Sequence, residues 1–237
     1  MFRDALKEAA EKFGLELSNA QLFRFERFFL MVLDWNQRIN LTAITDPKEF
    51  AIKHIVDSLS IIRAEPDLDG RRIIDVGTGA GFPGIPLKIF CPSLKLTLLD
   101  SLNKRINFLS AAIEALGLKE VECVHARAEE AGHSRLRGSF DIVLSRAVAR
   151  LNVLTEYCLP FADMGGKFIA LKSSNVREEL EEARAAIKIL GGAALEPIEF
   201  TLPNGDSRTL VLIEKRKRTP EHFPRRPGIP ERKPLSN

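Results

Sequence analysis

The feature that most constrains this chain is a glycine-rich turn placed between an apolar run and a helical pattern: RRIIDVG (71–77) leads into TGAGFPG (78–84) and then IPLKIF. Similar apolar runs recur downstream at KLTLLD (95–100), VECVHA (121–126), FDIVLSRA (140–147) and GKFIALK (166–172). Helical patterns lie between or after them at about 84–90, 104–116 and 151–158, and the charged stretch VREELEEARAAIKIL follows the last run. Strands alternating with helices imply a parallel sheet covered on both faces. The alternation then breaks, because AALEPIEFTL and SRTLVLIEK are separated only by Pro203-Asn204-Gly205-Asp206, and Asn-Gly between two apolar runs is a hairpin signal. The expected fold is therefore α/β and doubly wound, with a mostly parallel seven-stranded sheet that ends in an antiparallel hairpin.

Ahead of the first strand, 3–13 and 19–38 read as amphipathic helices. The second carries Leu22, Phe25, Phe29 and Val32 on one face and has Ser18 or Asn19 as its cap. A third helix is expected from about Pro47 through HIVDSLSIIRA. This divides the chain into a helical extension (1–68) packed on a catalytic domain (69–216), with a basic, proline-rich tail (217–237). No secretory leader and no run long enough to span a bilayer is read in it. Cys91, Cys123 and Cys158 form no paired motif, so neither a disulfide framework nor a metal site is expected, and the expected location is the cytoplasm. Charge is uneven: eight Lys or Arg against Glu221 and Glu231 give residues 215–237 a local +6 out of a total of +3, leaving the remainder at −3. A polyanion would meet that end of the molecule.

Glycines in a strand-to-helix turn let the backbone adopt positive φ and let a ligand approach closely. Taken alone, the turn serves two ligands, because Gly79, Gly81 and Gly84 also satisfy the dinucleotide fingerprint G-x-G-x-x-G, or it is a purely structural turn that binds neither. Three features favour S-adenosylmethionine over NAD. Asp75, two residues before Gly77, suits a cationic ligand better than a pyrophosphate. Asp100 closes the second strand, where a carboxylate accepts from both ribose hydroxyls, although NAD enzymes share this feature. The closing hairpin is the third, since methyltransferase sheets end that way. An NAD-dependent oxidoreductase and an RNA-binding module without activity remain as alternatives; a thermal shift with S-adenosylhomocysteine against NAD separates the first.

Beyond the glycine turn, NLTAI (40–44), HIVDSL (54–59), GFPGIP, LLDSLNKR (98–105), ARAEE (126–130), SRAVA (145–149) and FPRRPGIPERKPL (223–235) together resemble the ribosomal RNA small-subunit methyltransferase G family, also called glucose-inhibited division protein B. The resemblance runs from about Asn40 to Leu235. It implies methyl transfer from S-adenosylmethionine to N7 of a guanine of 16S ribosomal RNA, at position 527 in the 530 loop. The expected partner is the RNA or the small subunit, with no DNA or membrane partner, and the chain is expected to act as a monomer. The resemblance also implies cofactor contacts from Gly77, Phe82 and the adenine-contacting pair Ala128 and Glu129; Asp75, Gly79, Asp100, Ser101 and Arg146 join them as candidates by their place at the glycine turn and the strand ends.

Each of these residues also has a plainer reading. Phe82 either touches the cofactor, and is then also a candidate to hold the face of the target guanine, or packs beneath the loop. Arg146 ends the fourth strand on the ligand side of such a sheet; being always protonated it is no general base, but it can contact the cofactor or clamp a phosphate. The alternative is a surface arginine. His54 and Asp57, three apart on a helix, are read as a structural network with Asn40 and Thr42 rather than as a catalytic dyad. Lys172 reads equally as an RNA phosphate contact beside the transferred methyl or as a solvent lysine. No residue is assigned to proton transfer, since guanine N7 already offers a lone pair; Arg146 and Lys172 are positioning candidates. In the tail, Arg225, Arg226, Arg232 and Lys233 are expected on an extended arm along RNA phosphates, or else merely solvated.

Overall fold

A buried parallel ladder forms the centre of the computed structural model, which describes residues 1–146, 149–173 and 176–235. Its strands are β1 (Arg72–Val76), β2 (Lys95–Asp100), β3 (Val121–His125), β4 (Phe140–Arg146) and β5 (Ala162–Ser173), followed by β6 (Gly192–Ala194), β7 (Ile198–Thr201) and β8 (Ser207–Lys215). The order is β3-β2-β1-β4-β5-β8-β6, with β7 also on β8. Pairing is parallel from β3 to β5 and antiparallel around β8. Eight strands thus occupy seven positions. The run read as one strand is broken around Pro197, so β6 and β7 share an edge, where a residue without an N–H is tolerated. The chain leaves β1 in one direction through β2 and β3 and returns on the other side through β4. The carboxyl ends of β1 and β4 therefore flank a crevice, the place where sheets of this kind hold ligands.

The crossover helices are α5 (Gly84–Phe90), α6 (Asn103–Leu116), α7 (Ala128–Ala131), α8 (Leu151–Cys158) and α9 (Val176–Ile189). Ahead of the sheet lie α1 (Phe2–Lys12), α2 (Asn19–Asn36), α3 (Pro47–Phe50), a π-helical turn at Ala51–Val56, α4 (Asp57–Leu59) and a 3₁₀ turn at Ser60–Arg63. Ser18 and Gln21 form a reciprocal capping box at the start of α2. Asp46 takes the N–H groups of Lys48 and Glu49, both at 2.9 Å, with Pro47 as first residue of α3.

These helices share one core with the sheet rather than forming a separate body. An aromatic chain makes the join: Phe2 stacks on Phe29 (4.4 Å), Phe29 meets Phe50 (4.8 Å), and Phe50 and Phe28 both meet Phe82 of the glycine turn (5.6 and 5.4 Å). Each such ring contributes about 1.5–3 kcal/mol by burial, so the turn is held from below by the helical extension. Among the described residues, no helix is long and apolar enough to cross a membrane.

Candidate functional site

Gly77, Gly79 and Gly81 adopt φ of +71°, +60° and +89°, which bends the chain sharply off β1. A Cβ placed on Gly79 would meet nothing within 4 Å, so the outer face of the turn is open. A Cβ on Gly84 would lie 3.0 Å from Asp75 Oδ2, because the start of α5 packs directly on that carboxylate. Asp75 Oδ2 accepts from Thr78 Oγ1 (2.7 Å) and from Gly84 N (2.9 Å). Asp75 was expected to face a cationic ligand; its side chain instead lies wholly buried beneath the turn and braces it. Burial, opposed by these two bonds, raises its pKa to about 6. Its second oxygen, Oδ1, is buried without a partner.

Asp100 ends β2 beside the turn. Oδ2 accepts from Gly79 N (2.9 Å) and meets Arg105 Nη1 at 3.3 Å, while Oδ1 accepts from Leu102 N (2.9 Å). Two adjoining cavities open here and share Gly77, Asp100 and Ser101. The larger, about 390 Å³, lies over Gly79 and is walled by His54, Phe82 and Arg146. The smaller, about 130 Å³, continues past Asp100 to Ala128, Glu129 and Tyr157. An open glycine turn braced from below by Asp75, and a carboxylate at the end of β2, could hold adenosylmethionine, with the ribose at Asp100 and the adenine in the smaller cavity. A hollow of about 700 Å³ lies elsewhere, between the start of α9 and the β7–β8 hairpin; Glu178 and Glu199 are among its lining residues, and no glycine turn is. Asp100→Ala is expected to weaken S-adenosylhomocysteine binding by about 1–3 kcal/mol and leave the fold intact. Unchanged affinity by calorimetry would remove Asp100 from the site.

Arg146 closes the larger cavity. Its Nη1 donates to Asp57 Oδ2 and to the carbonyl of Lys53, both at 3.1 Å, and its Nη2 to His54 Nδ1 at 3.2 Å. Arginine only donates, so Nδ1 is the accepting nitrogen of His54 and the ring proton sits on Nε2, which donates to Thr42 Oγ1 (2.7 Å). Burial first, and the charge of Arg146 second, push the His54 pKa down to about 3. The imidazole is therefore neutral, fixed in one tautomer, and stacked on Phe82 at 4.4 Å. Asp57 also takes Arg208 Nε at 3.2 Å, a partner from β8 that sequence reading missed. The network includes Thr42 as expected but not Asn40, which is exposed; Asn36 takes its place, accepting from the N–H groups of Leu41 and Thr42 and donating to the Thr42 carbonyl.

The family model described as rRNA small subunit methyltransferase G matches residues 21–210. A ribosomal RNA small subunit methyltransferase G of Alkaliphilus metalliredigens is 47% identical over 97% of this chain and 97% of its own length. Its counterpart in Staphylococcus saprophyticus is 50% identical over 94% and 93%. This chain belongs to the rRNA small subunit methyltransferase G family. A SAM-dependent O-methyltransferase of Thermotoga maritima is 17% identical with a TM-score of 0.51, covering 80% of this chain and 73% of that one, a likeness that speaks for the fold alone.

Several residues that the G-family resemblance or the chain's charge pattern singled out sit differently from expectation. The ring of Phe82 is 5% exposed, with His54 against its face and the Arg146 guanidinium 5.0 Å from its centre, so it cannot stack on a target guanine. Lys172 is neither free nor solvated: Nζ donates to the Ala149 carbonyl and to Glu179 Oε2, both at 2.8 Å. Ala147 and Val148 of the SRAVA string, and Ser174 and Asn175 after Lys172, lie outside the described residues.

The tail is not a free arm. Lys215 is buried at the end of β8 and donates to the carbonyls of Leu159 and Leu190. Arg137 donates to the carbonyls of Thr219, Pro220 and Phe223, and His133 to that of Pro224. Arg225 engages Glu156 of α8 through Nε (2.9 Å to Oε1) and Nη2 (2.6 Å to Oε2), which takes it out of the set expected to meet RNA. Arg226, Arg232 and Lys233 are exposed, the last two at the short helix α10 (Ile229–Arg232).

Proposed function

We propose that this protein transfers a methyl group from S-adenosylmethionine to N7 of one guanine of 16S ribosomal RNA, the guanine at position 527 of the 530 loop. Family membership supports ribosomal RNA of the small subunit as substrate. The observation that carries the choice of atom is the state of the ionisable groups lining the larger cavity. His54 holds its accepting nitrogen against Arg146, Asp100 is engaged by Gly79, Leu102 and Arg105, and Arg146 is committed to Asp57. Attack by N1, by an exocyclic amine or by a ribose hydroxyl needs a proton acceptor; attack by N7 does not.

When bound, the donor supplies an electrophilic methyl on a sulfonium. The protein's part is positioning. The glycine turn and Asp100 orient the adenosyl and amino-acid ends, and the fixed wall of His54, Phe82 and Arg146 limits where the guanine edge can stand, so N7 is held in line with the methyl. A guanine must leave its stack to enter the cleft. Single-turnover rates with saturating RNA are expected to stay flat between about pH 7 and 8.5, because neither N7 nor His54 titrates there and Asp75, with a pKa of about 6, is already largely ionised. A log-linear rise of unit slope would instead place a general base in the reaction. The atom itself is tested by methylating RNA from a strain lacking the gene, followed by borohydride and aniline treatment. Strand scission at a single 16S guanine is expected; label without scission removes N7 as the acceptor.

Arg226, Arg232 and Lys233 are the cations of the tail that we assign to RNA phosphates. Replacing all three with serine is expected to flatten the log–log salt dependence of RNA binding by roughly two to three units and leave cofactor affinity unchanged. An unaltered slope would mean that these side chains are merely solvated.

A further inference from the structure

The segment that follows β8 crosses from the amino-terminal edge of the parallel strands, where Arg137 holds residues 219–223, to their carboxyl edge, where Glu231 becomes part of the wall of the smaller cavity. On its way it is fixed at His133, Glu156 and Glu129, the last accepting from Gly228 N at 3.1 Å. Glu231, exposed on the short helix α10, follows directly on this anchored stretch. The cavity it borders starts at Asp100 and ends between Ala128, Glu129, Tyr157 and Glu231, and its volume of about 130 Å³ suits one flat heterocycle rather than a whole nucleoside. Burial, the charges of Glu129 and Glu231 and a hydrogen-bonding interaction of the phenol with Glu231 raise the pKa of Tyr157, which keeps it a neutral ring along one side of the cavity and leaves the Glu231 carboxylate its remaining acceptor positions.

We propose that Glu231 is a binding residue for the methyl donor, accepting a hydrogen bond from the exocyclic amine of its adenine, so that residues 219–235 form a wall of the cofactor site. The inference rests on the reading of the cleft as an adenosylmethionine site. An ionised carboxylate only accepts, and the sole donor on an adenine edge other than ring C–H is the amine. Two carboxylates, Glu129 and Glu231, border the end of the cavity where the base would lie, and that amine carries two N–H groups. One oxygen of Glu129 is already engaged by Gly228, so the same segment that presents Glu231 also orients Glu129. A hypoxanthine base puts a carbonyl oxygen where the amine stands and has its one edge donor at N1–H instead, so it loses the hydrogen bond at that position and sets its oxygen against a carboxylate.

The test is calorimetric binding of S-adenosylhomocysteine and of S-inosylhomocysteine to the full-length protein and to its Glu231→Gln and Glu231→Ala variants. The unaltered protein is expected to favour the adenosyl ligand strongly. Glu231→Gln is expected to shrink that preference by about tenfold, the worth of one charge-assisted hydrogen bond, because glutamine can also donate to the inosyl oxygen. The melting temperatures of the unliganded proteins should agree. If both variants bind the two ligands in the unaltered ratio, even with affinity lowered for both, Glu231 does not read the base and the inference fails while the cofactor reading stands. If the unaltered protein binds neither ligand, the cofactor reading itself fails.

Discussion

Replacing Arg225 with alanine is expected to cost the protein about 3 kcal/mol of folding stability, seen as a fall of roughly 6–12 °C in melting temperature. The Glu156 side chain is 1% exposed and receives three bonds from the Arg225 side chain, with a fourth from its backbone N–H. Removing one partner of a buried pair leaves a charge without compensation, which costs about 3–5 kcal/mol. The lower figure applies because the Arg225 side chain is 24% exposed, so water partly screens the pair. A double change to Arg225→Met with Glu156→Leu should recover most of the loss, since an apolar pair of similar volume carries no desolvation penalty. Urea unfolding of the three proteins checks this, and an Arg225→Ala variant as stable as its parent would mean that the segment is not docked on α8.

The largest expected loss of activity comes from Arg146→Lys. A guanidinium reaches Asp57, the Lys53 carbonyl and His54 with a rigid fork, and it lies over Phe82; an ammonium on a flexible stem cannot hold the same acceptors together. The charge stays, so Asp57 keeps compensation, helped by Arg208, and the fold should survive. His54 and Phe82 would then lose their fixed spacing over the glycine turn. A shift of about 1 Å in such a wall costs on the order of a hundredfold in rate. We expect the single-turnover rate to fall by that factor or more and the affinity for S-adenosylhomocysteine to change only a few-fold. A rate within threefold of the parent would show that Arg146 has no positioning role.

What could be read from the sequence divides along a physical line. KLTLLD, the helix at 84–90 and the helix at 151–158 have the bounds expected of them, because each is a short uniform pattern closed by a turn residue or a change of period. The crevice followed too, since the glycine turn and Asp100 lie at strand ends whose direction the alternation fixes. Contacts between residues far apart in sequence did not follow. Glu156 reads as an ordinary solvent charge in LNVLTEYC until all eight residues of α8 prove buried, and its partner lies 69 residues away. Asp57 has one partner 89 residues on and another 151 residues on. Lys172 belongs with Glu179 because a turn brings the start of α9 back over the end of β5. Asn36 rather than Asn40 meets Thr42 for a local reason: both lie close to it in sequence, and only the fold of the loop after α2 decides which amide reaches its backbone.

The crossing of residues 219–235 over the helices also sets an order of events during synthesis. A nascent chain that has emerged only through Lys215 already holds every strand and the glycine turn, yet Glu156 waits inside α8 for a cation that has not been made. Until Arg225 arrives Glu156 has no guanidinium over it, and the cavity beside Glu129 lacks one wall. Completion of this enzyme is therefore a late event: a chain cut or stalled between β8 and Arg225 should keep the sheet yet lack both the cover over Glu156 and the last wall of the smaller cavity.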